Sequence, residues 1–318
     1  MRNLLDRVGR GPLIGGGIGA LVVLLLVLRD QEQALVIGVI TGLGYSLVAL
    51  GLVLIYKSSG VFSFVQAEFG TVALFVLYLL VINDVPYLLA ALVALAVAVA
   101  MGFLVERVVI RPLFDAPRVT LLVATAGVAL LSIGVTFWFN DAQAHNVAPA
   151  IQGAPGFTVL GIVVSWQRWL IVGVVGVVGL ALALFFNRTT LGLAVLAASQ
   201  EPTATNLVGI SVRRLSSLVW MLAAALGGLA GILAGPFEAF GPASITSKFL
   251  IPGFTAAVIG GMGSLPGAVL GGVIVGVGAS VGASGGVLPD SVPGGGAVVT
   301  FALLALILAI RPQGLLGR

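Results

Sequence analysis

One ionisable residue, Glu68, interrupts the long apolar stretch 61–82. A carboxylate inside a membrane is costly, so Glu68 must find a partner, face water or carry a proton. Its functional interpretations are a substrate contact and a buried structural hydrogen-bond acceptor. A further interpretation is a helix that begins later than the apolar sequence suggests, which would leave Glu68 near the membrane interface.

The remaining residue types do not support metal or cysteine chemistry. The chain contains no cysteine and one histidine, His145, which lies in the polar stretch 140–168. We interpret a lone histidine in such a loop as incidental, so no metal site is expected. The two lysines, Lys57 and Lys248, stand outside any Walker A motif. We therefore expect no cofactor on this chain; if the protein takes part in ATP-driven work, the ATP would be used by partner subunits.

The composition indicates the solvent that surrounds these residues. Only 8% of the 318 residues are charged and 59% are hydrophobic. A soluble domain of this size could not cover its surface with polar groups at that composition. Long, uninterrupted apolar runs favour helices over barrel strands, which alternate in polarity. The sequence thus predicts an all-α, polytopic transmembrane bundle, with 1–318 forming a single domain in contact with membrane lipid.

Nine apolar segments are candidates for membrane-spanning helices, which need ~20 residues. They cover residues 12–28, 34–56, 61–82, 87–105, 119–139, 169–186, 216–235, 251–283 and 297–310. The first follows Arg2, Arg7 and Arg10 but is not followed by a small-residue cleavage site. We therefore interpret it as a retained anchor rather than a signal peptide.

The basic residues predict the orientation of the chain. Assigning the basic flanks to the cytoplasm leaves only Arg29, Arg168 and Lys248 of the 15 lysines and arginines outside. Both termini, including residues 1–11, are then cytoplasmic, and 140–168 is an extracytoplasmic loop. We expect a multi-pass protein of the inner (cytoplasmic) membrane. The basic charge follows from this topology and gives no reason to expect nucleic acid as a partner.

The segment 251–283 is predicted to be broken or re-entrant. Its centre contains the residues best suited to interrupt a helix, namely Gly260, Gly261, Gly263, Ser264, Pro266 and Gly267. Glycine is conformationally permissive and proline lacks an amide donor. A cytoplasmic C-terminus also requires this segment to cross an even number of times, as a re-entrant hairpin or a pair of short helices. Broken backbone at membrane depth survives only where protein or a watery cavity satisfies it, which favours a transport path.

Glycines four residues apart recur along the apolar segments and predict helix faces that admit a close neighbour. They are Gly15/Gly19, Gly38/Gly42, Gly227/Gly231/Gly235, Gly267/Gly271 and Gly272/Gly276. We interpret most of them as packing contacts within the chain. The alternative for some is an interface with another subunit.

The longest cytoplasmic stretch, 187–215, is predicted to contain two short helices. The first is rich in alanine and leucine from Leu191 to about Ser199. The second starts at Pro202 and stops at Gly209, residue types that favour the start and the end of a helix. Two short amphipathic helices between spans would form a docking surface for a cytoplasmic partner. An ordinary connecting loop is the alternative.

This stretch resembles the coupling segment of ABC importer permeases, and most closely that of the branched-chain amino acid permease family. The residues that fall on the family pattern are Gly192, Ala194, Ala197, Glu201, Ala204, Gly209 and Ile210. Residues 45–56 resemble the family's second-span signature, 260–268 its G-G-x-G-S-x-x-G-A turn, and 311–317 its R-P-x-G-L-x-G ending. The resemblance extends from about Ala34 to the C-terminus.

Two positions depart from the family pattern. Residues 63–68 are S-F-V-Q-A-E where the family often has N-F-x-H-G-E, so the acid is kept but the histidine and the glycine are replaced. Leu196 stands where the family often carries arginine in the coupling segment. The first departure bears on the substrate and the second on contact with the ATPase.

The resemblance implies one half of an alternating-access importer. Its partners would be cytoplasmic ABC ATPase subunits, a second permease subunit (homologous or identical) and an extracytoplasmic solute-binding protein. The substrate would be a branched-chain amino acid or a related small polar solute. Gln66 and Glu68 would line its path, and the coupling segment would transmit movement from the ATPase.

Two other classes of protein remain as alternatives. A secondary transporter or channel would work without an ATPase. The sequence shows neither the paired acids nor the obvious inverted repeat that would favour this class. An intramembrane enzyme would need acids, histidine or serine that converge at one depth, which Glu68 and His145 do not provide. We therefore expect a transport subunit and not an enzyme.

Overall fold

The computed structural model describes residues 31–114, 116–139, 143–151, 156–159, 161–237, 239–285 and 293–316. The predicted anchor at 12–28, the Gly15/Gly19 pair and the terminus 1–11 lie outside the described residues. The described chain is almost entirely helical, which confirms the predicted all-α bundle.

Within these ranges the chain forms eleven α-helices. They are α1 (Glu32–Ser59), α2 (Glu68–Val81), α3 (Tyr87–Val105), α4 (Arg118–Phe139), α5 (Trp166–Arg188), α6 (Thr190–Gln200), α7 (Pro202–Leu207), α8 (Val212–Ala234), α9 (Ile251–Gly260), α10 (Leu265–Ala283) and α11 (Gly295–Ile310). Short 3-10 helices cover Phe64–Gln66, Arg111–Leu113 and Gly235–Phe237, and π-helical turns cover Glu106–Ile110 and Thr246–Leu250. A two-stranded antiparallel hairpin pairs β1 (Phe157–Val159) with β2 (Ile162–Val164).

Seven helical segments of the described chain are long and apolar enough to cross a membrane. They contain α1, α2, α3, α4, α5, α8 and α10, and α11 is a shorter apolar helix. Every predicted span from 34–56 onward falls on one or more of these helices. The span predicted at 61–82 begins differently, because a 3-10 helix covers Phe64–Gln66 and α2 starts only at Glu68.

Helix α1 lies at the centre of the bundle. Every residue from Ser46 to Ile55 is buried, which is typical of a helix that other helices enclose on all sides. Its neighbours are α8, α9 and α10. The largest fully buried side chain, the indole of Trp220 in α8, belongs to the same core. The remaining segments are arranged around this central helix.

Helices α4 and α5 lie at the periphery and expose large apolar side chains. Leu130 and Trp138 in α4 are 70% and 86% exposed, and Val177 in α5 is 69% exposed. Contiguous apolar surface of this kind marks contact with lipid or with another protein. The lipid contact inferred from composition therefore corresponds to these two helices together with α3, whose Leu88 is 73% exposed.

The predicted break in 251–283 is present. Helix α9 ends at Gly260, Gly261 has a φ of +98°, and α10 begins at Leu265 after Ser264 as its N-cap. The five-residue π-turn and the ten-residue α9 together cover about 22 Å, less than the ~30 Å hydrocarbon core of a membrane. Helix α10, with 19 residues, is full length. The pair thus combines one short and one full-length helix, where a re-entrant hairpin or a pair of short helices was expected.

The C-terminal tail returns to this break. The backbone amides of Leu315 and Leu316 donate to the carbonyls of Ile259 and Gly260 at 2.7 and 3.1 Å. These carbonyls belong to the last turn of α9, where no intrahelical partner is available. The tail therefore lies at the same end of the bundle as the break, as an even number of crossings by α9 and α10 requires.

The predicted glycine sets in the described residues mediate contacts within the chain. Gly42 of α1 faces the backbone of Gly272 in α10, and Gly231 of α8 faces the backbone of Gly70 in α2. This confirms the packing interpretation for these sets. Gly127 of α4, in contrast, has no described atom within 4 Å of the position that a Cβ would take.

Candidate functional site

Glu68 is the first residue of α2 and is fully buried. Its carboxylate accepts hydrogen bonds from Ser132 Oγ of α4, at 3.4 Å, and from Thr246 Oγ1. The side chain therefore joins α2, α4 and the π-turn Thr246–Leu250, as a structural acceptor would. The helix does begin later than its apolar sequence suggests, yet protein encloses Glu68.

Gln66 is also fully buried and bridges α1 and α8. Its Nε2 donates to the carbonyl of Ala223 in α8 at 2.8 Å. A Cβ on Gly51 of α1 would overlap this amide, and one on Gly227 of α8 would lie 3.2 Å from Nε2. Gln66 Oε1 has no hydrogen-bond partner among the described residues. The amide thus fills a slot that two glycines leave open.

The contacts of Glu68 predict a loss of stability on its removal. We expect Glu68→Ala to lower the free energy of unfolding by about 1–3 kcal/mol, because two hydroxyl groups lose a buried acceptor. Glu68→Gln keeps an acceptor oxygen and should lose less. Thermal unfolding of the purified chain measures both variants, with the exposed Glu32→Ala as the control. Normal stability of Glu68→Ala together with lost solute uptake would contradict the structural role and favour a solute contact.

A cavity of about 200 Å³ opens at one end of the bundle, and we call it the vestibule. It is bounded by α1, α2, α5, α8 and described residues within 235–237 and 239–249, and most of this wall is apolar. The charged side chains among its described lining residues are Arg168 and Lys248. Because Arg168 is in the first turn of α5 and α6 follows the last turn of α5, the vestibule and α6 lie at opposite ends. Neither Gln66 nor Glu68 lines the vestibule.

His145 is packed beside the vestibule. Its backbone pairs with that of Phe240, with N···O distances of 2.8 and 2.9 Å, and its Nδ1 lies 3.1 Å from the Tyr78 hydroxyl. His145 thus attaches its loop to Tyr78 of α2 and to Phe240 in the vestibule wall, and its interpretation as incidental rather than a ligand stays a prediction. The described residues contain no group of three histidine, cysteine or acidic side chains that could hold a metal ion.

A second cavity, of about 620 Å³, lies at the other end of the bundle. Its lining includes Lys57 from the end of α1, Arg118 from the start of α4, Ser199 of α6 and Gly263 of the broken turn. The structure thus brings the predicted coupling segment and the predicted break, which are distant in sequence, to the same cavity.

Helices α6 and α7 confirm the two short helices predicted in the coupling segment. The Gly192 amide donates to Thr189 Oγ1 at 3.0 Å, which caps the start of α6. After α7, the Ile210 amide donates to the Thr205 carbonyl at 3.2 Å, and Gly209 has a φ of +85°. This is a Schellman motif, in which glycine supplies the left-handed residue that ends the helix.

The coupling segment presents much of its surface to the outside. Of the residues on the family pattern, Gly192 is buried, Ala194 and Ile210 are half-buried, and Ala197, Glu201, Ala204 and Gly209 are exposed. Leu207 and Val208, next to them, are 84% and 73% exposed. Leu196, at the position where the family often has arginine, is half-buried.

A buried ion pair near the coupling segment was not predicted from the sequence. Glu106 is fully buried and pairs with Arg111 at 3.1 Å, and Ser217 Oγ donates to Glu106 Oε2 at 2.7 Å. Arg111 Nη2 also donates to Ser217 Oγ at 2.5 Å and to the Arg213 carbonyl at 3.4 Å. The cluster therefore joins the end of α3 to the first turns of α8, which directly follow the coupling segment.

The helical bundle and these features together define a class of protein. The molecule is a polytopic bundle of apolar helices around a buried core. It has a break between α9 and α10 and a cavity at each end, an arrangement typical of membrane proteins that transport solutes. The chain matches the family described as the permease component of branched-chain amino acid transport systems over residues 34–309. The chain belongs to this family of permease subunits.

Individual relatives agree with this assignment. The chain is 33% identical over 309 residues to BraD, a high-affinity branched-chain amino acid transport system permease protein of Pseudomonas aeruginosa, covering 90% of this chain and 95% of BraD. It is 29% identical over 296 residues to LivH of Escherichia coli, covering 88% and 94%. XylH of Sulfolobus acidocaldarius, a xylose/arabinose import permease protein, is 30% identical over 148 residues, 44% of this chain and 41% of XylH. No solved structure is a significant match.

The family assignment confirms the resemblance carried by residues 34 onward. The chain is a multi-pass protein of the inner membrane. As expected, it is a transport subunit and not an enzyme, because the family consists of permease components.

Proposed function

We propose that this chain is the transmembrane permease subunit of an ABC importer that moves a branched-chain amino acid, or a related small polar solute, inward by ATP-driven alternating access. The observation that carries the proposal is the exposed pair α6 and α7, which bears the family's coupling residues at the end opposite the vestibule. BraD and LivH, which match most of the chain, are permeases of branched-chain amino acid systems by name.

Each end of the bundle would bind a different partner protein. Two ABC ATPase subunits, which bind the ATP, would dock on the coupling segment 187–215 in the cytoplasm. An extracytoplasmic solute-binding protein would deliver solute at the vestibule end, where loop 140–168 lies. A second permease subunit, homologous or identical, would complete the path. The docked C-terminal tail, at the same end as the coupling segment, supports a cytoplasmic C-terminus.

Movement would pass from the ATPase to the bundle through a few contacts. Helix α6 and the ends of α1 and α4 meet around the second cavity, and the ion-pair cluster joins the start of α8 to α3. ATP binding would shift the coupling segment and favour one of two arrangements of these helices. Such a shift requires that the ATPase bind the two arrangements with different free energies.

Retention of an ATPase by the purified chain tests this proposal. We expect the wild-type chain to copurify with its ATPase, and Gly209→Asp to reduce the retained amount about tenfold or more, equivalent to ~1.4 kcal/mol. The aspartate would replace a left-handed glycine and add charge beside Leu207 and Val208. Glu201→Ala should weaken retention less, because it only removes one exposed side chain.

Gly161→Asp is the matched control for Gly209→Asp. Both glycines have a positive φ, +79° and +85°, and neither has a described atom within 4 Å of an added Cβ, but Gly161 lies in the β-hairpin before α5. Equal loss of ATPase from both variants would indicate general misfolding. Absence of a copurifying ATPase, with solute flux through the pure chain in vesicles, would contradict the proposal and favour a secondary transporter or channel.

A further inference from the structure

The vestibule is small and mostly apolar, and these two properties limit what it can hold. Its volume, about 200 Å³, is below the ~300–1,000 Å³ of pockets for drug-sized ligands. Ile40 of α1, Leu233 of α8 and Phe249 contribute apolar wall, and the hydroxyl residues Thr41 and Ser244 also line it. The cavity therefore suits a single small solute with an aliphatic part and few polar groups.

The charges of the vestibule have one sign among its described lining residues. Arg168 enters from the first turn of α5 and Lys248 from the π-turn Thr246–Leu250. The guanidinium of Arg168 lies over the ring of Phe237, with Cζ 5.4 Å from the ring centroid. An aromatic ring in this position attracts the guanidinium and favours its placement on the cavity wall. Two cations next to apolar wall favour a ligand with one anionic group.

The same two cations are exceptional in the charge distribution of the chain. Arg168 and Lys248 are two of the three basic residues that the topology leaves outside, where short loops usually carry few. Both of them line the vestibule. Their placement is explained if the cations serve ligand binding rather than orientation of the chain.

We infer that the vestibule binds the solute on entry, with Arg168 and Lys248 holding the carboxylate of an aliphatic amino acid and the apolar wall holding its side chain. The Thr41 hydroxyl oxygen on the cavity wall would accept from the ammonium group, whereas Ser244 Oγ already accepts from the Gly241 amide. The inference rests on the proposed function for the identity of the solute and adds the place where this chain receives it. It also assigns solute contact to residues other than Gln66 and Glu68.

Direct binding to the full-length chain in nanodiscs tests the inference without any ATPase. The probes are L-leucine, L-leucinamide, which lacks the carboxylate but keeps the ammonium group and side chain, and glycine, which lacks the side chain. Saturation-transfer NMR at millimolar concentration detects weak binding. We expect leucine to bind at least about tenfold more tightly than either analogue, because each analogue loses one of the two kinds of contact.

The variants Arg168→Gln and Lys248→Gln should each weaken leucine binding, and the double variant should lose the preference for leucine over leucinamide. Arg107→Gln, an exposed cation near the other end of the bundle, is the control and should bind leucine normally. Thermal unfolding checks that each variant is folded. Unchanged leucine affinity in the folded double variant would overturn the inference.

An anionic lipid headgroup is the competing ligand, since it carries the same charge. Nanodiscs of phosphatidylcholine alone and nanodiscs containing phosphatidylglycerol distinguish the two. If leucine does not bind in neutral nanodiscs, and phosphatidylglycerol is retained by the wild type but not by the double variant, the site is a lipid site and the inference is wrong. Binding of leucine in neutral nanodiscs supports it.

The two proposals fail in different experiments. Leucine binding that depends on Arg168 and Lys248, without a copurifying ATPase, would support the vestibule site and contradict the importer mechanism. ATP-dependent leucine uptake by the assembled importer that persists in the double variant would support the importer and overturn the vestibule site.

Discussion

Gly42→Val is expected to prevent formation of the stable bundle, with a loss of at least about 4 kcal/mol in the free energy of unfolding. A Cβ at Gly42 would lie 2.5 Å from the carbonyl oxygen of Gly272 and 2.8 Å from Cα of Val273, both in α10. These neighbours are backbone atoms, so no side chain can turn away to make room. Helices α1 and α10 would have to separate, and α1 is the central helix of the core.

The matched control for Gly42→Val is Gly127→Val in α4, which adds the same side chain to another apolar helix. No described atom lies within 4 Å of the added Cβ at Gly127, so the purified chain should keep its stability. Size-exclusion profiles and thermal unfolding in mild detergent measure both variants. If Gly42→Val gave a folded peak with wild-type stability, α1 and α10 would not be in the close contact described.

The glycine contacts show how far a sequence pattern predicts packing. Spacing of four residues places Gly38 and Gly42 on one face of a helix, and this correctly predicted a close neighbour. The pattern could not identify that neighbour, because the partner helix α10 is more than two hundred residues away in sequence. Gly127 and Gly134 in α4, seven residues apart, face open space in the described structure. Spacing alone does not distinguish such an open face from a packed one.

The local turns could be predicted from the sequence, because a turn depends on the residues at that position. The long-range contacts could not, because they depend on distant segments. The break at Gly261 and the end of α7 at Gly209 depend on backbone preferences of one or two residues, and both were predicted. The surroundings of Glu68 depend on Ser132 and Thr246, which come from distant segments. The sequence therefore identified Glu68 as unusual but not as the acceptor for two particular hydroxyl groups.

The vestibule and the ion-pair cluster were missed for two different physical reasons. Arg168 and Lys248 were noticed only as exceptions to the charge distribution, because their common cavity exists only after α5 and the π-turn pack together. Glu106 and Arg111 are five residues apart, a spacing that does not align on an ordinary α-helix. The π-helical turn Glu106–Ile110 brings the two side chains together, and π-turns of this kind are frequent at functional sites.

Arg111→Ala is expected to be the most damaging change in the ion-pair cluster. Among the described residues, it would leave the fully buried carboxylate of Glu106 with only the Ser217 hydroxyl as a partner. Removal of one partner of a buried ion pair costs about 3–5 kcal/mol, because the other charge stays in protein without compensation. Glu106→Ala should cost less, because the Arg111 side chain is 21% exposed and can still reach water.

The double variant Glu106→Ala/Arg111→Ala distinguishes a coupled pair from two independent residues. It should lose less stability than the sum of the single variants by about 0.5–3 kcal/mol, the range for residues in direct contact. Arg107→Ala, in the same π-turn but exposed, should change stability little. Since the cluster joins α8 to α3 directly after the coupling segment, the assembled importer with Arg111→Ala should also take up less solute per ATP hydrolysed. Additive losses in the double variant, with normal uptake per ATP, would show that Glu106 and Arg111 act separately and that the cluster transmits no movement from the coupling segment.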